Sequence, residues 1–340
     1  MAEEFNTEEE VNGRQGDAVI DDVSDSTDSK ADVAEYDKYN YDYKEYWQGR
    51  EYENLAEDSA LSRLLKKVRG KRIVDIGGSY GRLLPIYYDK FEQPVILDYS
   101  LNTLLKYEKG ILEKYPNTKL VAANVYHLPF RENSFDGALM VRVLHHVNDP
   151  EIYYEELAEI MADKGIYVQE FANKIHLKAR LKWMLKGQFK MLGEEPYEQP
   201  TQESFEGSDK AKKDGGIFMN FHPNHIKEML RDVDFKIVGK SSSSFLRVPK
   251  LKKMLPLSMM MGLEKAAQLI IGGTNIAPSV FYKARMEKEA EKNNLEKSFN
   301  EILVCPECKG ELQFELDQAR CSKCGMEYKK HSTVWDFRVS

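Results

Sequence analysis

The sequence predicts an α/β protein, with a mostly parallel sheet covered by helices on both faces and a small metal-binding unit at the C-terminus. Three observations carry this. Short apolar runs alternate with helical patterns between residues 55 and 171, as strands joined by helical crossovers require. The first apolar run ends in Asp75 and enters a turn containing Gly77, Gly78 and Gly81, the usual setting of a pocket at the carboxyl end of a first strand. The four cysteines fall in two C-x-x-C pairs, Cys305/Cys308 and Cys321/Cys324.

The 340 residues are 42% hydrophobic and 31% charged, enough for a sizeable core. The formal charge of −7 is uneven. Residues 1–40 hold 13 acids against three bases, which leaves 46 bases and 43 acids for the rest. Residues 1–36 are acidic and poor in large apolar groups, so burial cannot offset their ordering entropy, and a disordered tail is expected. No basic and apolar leader follows Met1, and the longest apolar stretch is interrupted by Glu264 and Lys265. We therefore expect no signal peptide, no transmembrane segment and a cytoplasmic location.

The elements follow in order. Aromatics arrive abruptly at Tyr36, Tyr39, Tyr41, Tyr43, Tyr46, Trp47 and Tyr52. Leu55, Leu61, Leu64, Leu65 and Val68 have helical spacing, and Gly70 ends that helix. Strands are expected at 72–76, 94–97, 119–122, 137–141 and 165–171, with helices starting near Arg82, Asn102 and Glu151. An irregular insertion at 172–222 precedes a helix at 223–230 and a strand at 235–239. A second insertion at 245–275 precedes a strand at 279–284. A charged helical linker over 286–301 leads to a separate unit at 302–340.

The glycine turn narrows the ligand. Ser79 and Arg82 stand where a dinucleotide fingerprint would need glycine, and no Gly-Lys-Ser/Thr phosphate loop follows. Asp75, Gly77, Ser79 and Gly81 instead resemble the acid-x-Gly-x-Gly-x-Gly motif of class I S-adenosylmethionine-dependent methyltransferases, with serine for the middle glycine. Asp98 ends the second apolar run, as the family's ribose-binding acid does. Asn124, Val125 and the Leu128-Pro129-Phe130 that follows are similar to the family's third-strand loop. Residues 133–136 and 141–150 are similar to its fourth strand and the loop after it, and residues 162–168 to its turn into the fifth strand.

The resemblance covers about residues 40–285, and within the class it is to the small-molecule and quinone-biosynthesis group. It implies a Rossmann-like sheet, mostly parallel with an antiparallel last strand. It implies S-adenosylmethionine as cofactor, with Asp75, Gly77, Gly78, Ser79, Gly81, Asp98, Tyr99, Asn124, Val125 and Val141 around it. Arg50, beside the aromatics, is a candidate partner for the cofactor carboxylate, with a solvated arginine as the alternative. Methyl transfer needs alignment and exclusion of water, and a base only where the nucleophile must lose a proton. His145, His146 and His222 are the candidates for that base.

Between residues 173 and 191 there are six bases and no acid, with Leu177, Leu181 and Leu185 on one helical face. The reading preferred here is a cap that buries Leu181 and Leu185 over a hydrophobic acceptor. An anionic membrane or an RNA is the alternative partner of these residues. The cysteine spacing is that of a four-thiolate site for one structural zinc ion. The unit around it resembles the zinc-ribbon subunit that activates tRNA and protein-factor methyltransferases. The expected function is methyl transfer to a small or lipid-like acceptor. The alternatives are an RNA or translation-factor methyltransferase and a non-catalytic cofactor-binding scaffold.

Overall fold

The computed structural model describes residues 44–198, 218–289 and 293–339. The acidic segment 1–36 and the first aromatics up to Tyr43 lie outside them.

Helix α1 (Glu51–Leu64) leads into strand β1 (Gly70–Ile76). Then come α2 (Leu84–Tyr87), β2 (Phe91–Asp98), α3 (Leu101–Lys114), β3 (Lys119–Ala122), β4 (Phe135–Met140), α4 (Pro150–Ile160) and β5 (Met161–Ala172). The first insertion carries α5 (Leu177–Leu185) and a two-stranded pairing of β6 (Tyr197–Glu198) with β7 (Met219–Asn220). After α6 (Pro223–Asp232) and β8 (Phe235–Ser243), the second insertion forms α7 (Pro249–Met254) and α8 (Leu257–Ile270), and β9 (Ser279–Met286) follows. The C-terminal unit comprises α9 (Phe299–Ile302), β10 (Leu312–Phe314), β11 (Gln318–Cys321), β12 (Glu327–His331) and β13 (Val334–Asp336).

The central strands run β3-β2-β1-β4-β5-β9-β8. The pairs among β3, β2, β1, β4 and β5 are parallel, and β9 is antiparallel to both neighbours. This is the Rossmann-like sheet that the resemblance implies. Successive strand residues point to opposite faces. Val74, Ile76, Val95 and Leu97 pack with Leu157 of α4 and Ile226 of α6 on one side. Ile73 and Ile96 pack with Leu61, Leu84 and Leu104 on the other. Both faces are thus covered, which parallel strands need.

Several expectations are corrected. The leucine face read for α1 is wrong at Leu55, which is exposed, while Glu53 and Glu57 are buried. Each acid meets cations from distant segments: Lys252 for Glu53, Arg82 and Arg142 for Glu57. The linker is not a helix over 286–301, since β9 extends to Met286 and α9 begins at Phe299. Hydrogen bonds to the body hold it instead. Asn294 donates through N and Nδ2 to the carbonyls of Asn133 and Glu132, and Arg72 donates to Lys297 O at 2.7 Å.

The C-terminal unit is not separate either. Strand β13 pairs in parallel with β3, placing Trp335 beside Val121, so that β10-β11-β12-β13 extend the sheet to eleven strands. Tyr328, Trp335 and Phe337 share one buried core with Val95 and Val121. The apolar pattern of β3 does not reveal which partner will satisfy its outer edge.

Because the core is shared, truncating fully buried Phe337 to alanine should cost about 3–5 kcal/mol and destabilise the chain as one cooperative unit. Urea unfolding followed by tryptophan fluorescence and by far-ultraviolet dichroism should shift together. Two separated transitions would contradict this.

Candidate active site and cysteine cluster

The strand order reverses around β1, which lies between β2 and β4, so the crevice at the carboxyl ends of these strands is the natural ligand position. Its floor is the turn after β1. Gly77 N and Gly78 N donate to Leu97 O at 2.7 and 3.2 Å, tying the turn to β2. Gly77 has φ +70°, and a Cβ there would lie 2.2 Å from Val143 Cγ2. Only glycine allows the turn and the loop after β4 to approach this closely.

Ser79, in the middle glycine's place, also takes a positive φ of 47°. Its N–H donates to Asp98 Oδ2 at 2.9 Å, while its hydroxyl is buried with no hydrogen-bond partner. The expected helix from Arg82 is shorter than the pattern suggests. Leu84–Tyr87 makes a single turn, with Pro85 at its start.

Asp75 is buried beneath this turn and accepts from Tyr87 Oη at 3.0 Å. Burial pushes its carboxyl up to about 7, against the opposing effects of the Tyr87 hydrogen bond and Arg82. Asp98 is an organiser of the rim: Oδ2 takes the Ser79 N–H and Oδ1 the Ser100 N–H, both at 2.9 Å. Asn124 Oδ1 accepts from Tyr126 N at 3.0 Å, which uses part of its own capacity. Tyr99 lies under Arg338, whose guanidinium is 5.9 Å from the ring centre. The Arg338 guanidinium donates to both carboxylate oxygens of Asp336, so the exit of β13 reaches this edge of the crevice. Val141 is buried at the end of β4.

Arg50 has its guanidinium 4.2 Å from the centre of the Tyr46 ring and donates to Tyr46 Oη. Two other arginines were missed by the sequence reading. Arg82 follows Gly81 directly and donates to Asn54 Oδ1 at 2.7 Å and to Glu57 Oε2 at 3.2 Å. Arg142, in the loop after β4 with φ +64°, pairs closely with Glu57 Oε1. Burial works to lower the Arg142 pKa, but Glu57 and Glu170 outweigh it and raise it. Trp47 lies over Arg82 at 4.3 Å and near Arg142 at 5.8 Å. The position of Arg82 in the motif could have signalled it; the pairing with Glu57 has no local signal.

The histidines separate. His145 is buried between His146 and Phe218, with ring centres 4.1 and 4.3 Å away. Burial, then the neighbouring His146 and Arg142 charges, hold it well below the ordinary histidine range, so it is neutral near pH 7. His222 caps α6, its Nδ1 accepting from Asn224 N at 3.2 Å, which gives it a structural task. A cleft of about 290 Å³ opens beyond His146, walled by Val147, Asp149, Met219, Phe221 and His225.

The four cysteine sulfurs lie within 4.8 Å of one another. Zinc held by four thiolates at 2.3 Å would set them roughly 3.8 Å apart, and the observed Cys305–Cys324 and Cys308–Cys321 separations are 3.6 and 3.5 Å. Gly310 is cut to this cluster, since a Cβ there would meet Cys321 Sγ at 2.8 Å. Although burial raises the Cys321 thiol, the N–H groups of Cys324 and Lys323 outweigh this and bring it down to about 6. The donor set therefore fits a closed zinc site.

Residues 74–169 match the methyltransferase domain family. A demethylmenaquinone methyltransferase of Renibacterium salmoninarum is 31% identical over 42% of this chain and 56% of its own. A Methanocaldococcus jannaschii protein of uncharacterised function is 32% identical over 34% of this chain and 48% of its own. The chain spans about half the length of the curated relatives it matches. A solved S-adenosylmethionine-dependent methyltransferase of Thermotoga maritima is similar over 74% of this chain and 98% of its own, at 17% identity and a TM-score of 0.49. The domain match supports a methyltransferase.

The buried Asp75 carboxyl makes stability depend on pH. Its folded pKa of about 7 lies above the unfolded value of 3.8, so its favourable contribution is complete below about 4 and is lost as pH rises through 7. Asp75→Asn should therefore gain on the wild type between about pH 4 and pH 8, by on the order of 2–4 kcal/mol. Urea midpoints at several pH values check this; a difference independent of pH would refute it.

Proposed function

We propose that the chain is an S-adenosylmethionine-dependent methyltransferase with a small or lipid-like acceptor, and that its four cysteines hold one structural zinc ion. The observation that carries the cofactor reading is the crevice itself. Asp98 ends β2 beside Ser79, which holds a left-handed φ and whose hydroxyl is buried without a hydrogen-bond partner. A buried polar atom without a partner is costly, and a polar ligand would relieve it.

When bound, the cofactor supplies a methyl group on a sulfonium, already a good leaving group. Asp98 would accept from the ribose hydroxyls. Asn124 and the Val125 N–H would face the adenine, and the glycine turn, whose Gly77, Gly78, Ser79 and Gly81 N–H groups already donate within the protein, would give the methionine portion its close backbone approach. Arg82, held beside Gly81 by Asn54 and Glu57, replaces Arg50 as the cation positioned at the turn. Trp47 would help exclude water, covering Arg82 on this rim. His145, buried and held neutral near pH 7, is a weak base and is assigned no proton transfer. His222 is not part of this proposal.

The zinc would hold the two C-x-x-C turns together and thereby brace β10–β13 against β3. Such a site is closed and structural, with no position for substrate. An RNA acceptor is the second reading, favoured by the six bases without an acid over residues 173–191.

Asp98→Ala should bind S-adenosylhomocysteine at least about tenfold more weakly by calorimetry, as the loss of charged hydrogen bonds requires. Unchanged affinity, or tight binding of NAD by the wild type, would overturn the assignment. Elemental analysis of freshly purified protein should find one zinc per chain. Removing it with a chelator should lower the midpoint of the single unfolding transition, and protein free of zinc with an unaltered midpoint would refute the structural site.

A further inference from the structure

Among the described residues, the two insertions leave a surface uncovered. No residue of α5 is buried, and Leu181 and Leu185 are 49% and 87% exposed. This overturns the expectation that these leucines close a cap over the acceptor. The nine-residue helix carries lysines at 178 and 182, Lys186 caps its end, and Phe189 beyond it is also exposed. Helix α8 behaves similarly. It turns Met260, Met261, Glu264 and Gln268 inward against α1, where Glu264 accepts from Tyr52 Oη and from the N–H groups of Ser244 and Phe245. Its other residues include Leu269 and Ile270, 74% and 82% exposed.

The start of α5 is held by the segment that follows α8. Ile276 O, six residues past α8, accepts from Leu177 N at 2.9 Å. Asn173 Nδ2 donates to the carbonyls of Asn275 and Ala277, both at 2.8 Å. These hydrogen bonds tie the start of α5 to the segment after α8. Cations surround the junction: Lys178 and Arg247 both act on His176, and Arg180 acts on Lys240. Lys250, Lys253 and an exposed Met254 continue the pattern on α7.

We propose that this surface, formed by α5 and the α7–α8 pair, docks on an anionic lipid bilayer, with its apolar side chains in the headgroup–acyl boundary and its lysines on the lipid phosphates. The combination selects the partner. Apolar side chains standing among lysines suit an interface that is greasy below and negatively charged above. A nucleic acid would use the lysines but leave Leu185, Leu269 and Ile270 in water. A second copy of the same surface would bring like charges together. Among the described residues no helix is long and apolar enough to cross a membrane, so the attachment is peripheral. The proposal does not depend on the cofactor reading, although it would bring a membrane-dissolved acceptor to the rim of the crevice.

The test is co-sedimentation of the full chain with vesicles of phosphatidylcholine and phosphatidylglycerol in equal parts, and with phosphatidylcholine alone. Binding should require the anionic lipid and weaken at least about tenfold in high salt. The triple variant K178E/K182E/K186E should bind about a hundredfold more weakly or worse, since each cation near such a surface matters separately. L185D/I270D should lose binding as well, because the charges alone do not insert. Both variants should keep the wild-type melting temperature and S-adenosylhomocysteine affinity, which separates this proposal from the cofactor assignment. A wild type that ignores the vesicles would overturn the proposal. So would a lysine variant that binds them equally, or a wild type that binds RNA but no lipid.

Discussion

One buried carboxylate, Glu57, joins the three segments that make the rim of the pocket. It projects from α1, takes Arg82 from the end of the glycine turn, and takes Arg142 from the loop after β4. An isolated charge at this depth would be costly, and breaking one partner of such a set typically costs about 3–5 kcal/mol. The arrangement is kept because both arginines are there, and because Trp47 covers them from the N-terminal side. The loop after β4 is thereby set against Gly77, the backbone of the turn cannot relax, and Ser79 holds a left-handed conformation beside Asp98. The pocket's preorganisation follows from this set of charges more than from the hydrophobic core beneath it.

The second constraint is at the far edge of the sheet. Strand β3 would present an open row of backbone donors and acceptors, a liability in any sheet. The C-terminal unit closes it with β13, and its aromatic side chains enter the core shared with β1 and β2. A unit of this size buries too little to be stable alone, so it depends on both the sheet and the cysteine cluster. The same docking carries Arg338 to Tyr99 at the rim of the crevice.

The insertions show the opposite economy. They spend few contacts on the body and leave leucines, methionines and lysines outside. Glu264 explains how α8 can do this and still be fixed: one fully buried acid, satisfied by Tyr52, Ser244 and Phe245, holds it to α1 and the end of β8. The outer face is then free for another medium.

Periodicity and motif were sufficient for the parallel sheet, for the order of its strands along the chain, for the glycine turn with Asp75 and Asp98, and for the four clustered thiols. These features are local: a strand alternates within itself, a turn needs its own glycines, and a C-x-x-C pair needs only neighbours. Only the tertiary structure decided what depends on distant partners. Glu53 and Glu57 are buried because cations from elsewhere reach them, which no reading of the α1 pattern could reveal. The cysteine unit became part of the sheet because β3 had an unpaired edge of matching length. The leucines of α5 stayed exposed because an amphipathic pattern states that a face is apolar and says nothing about which medium will meet it.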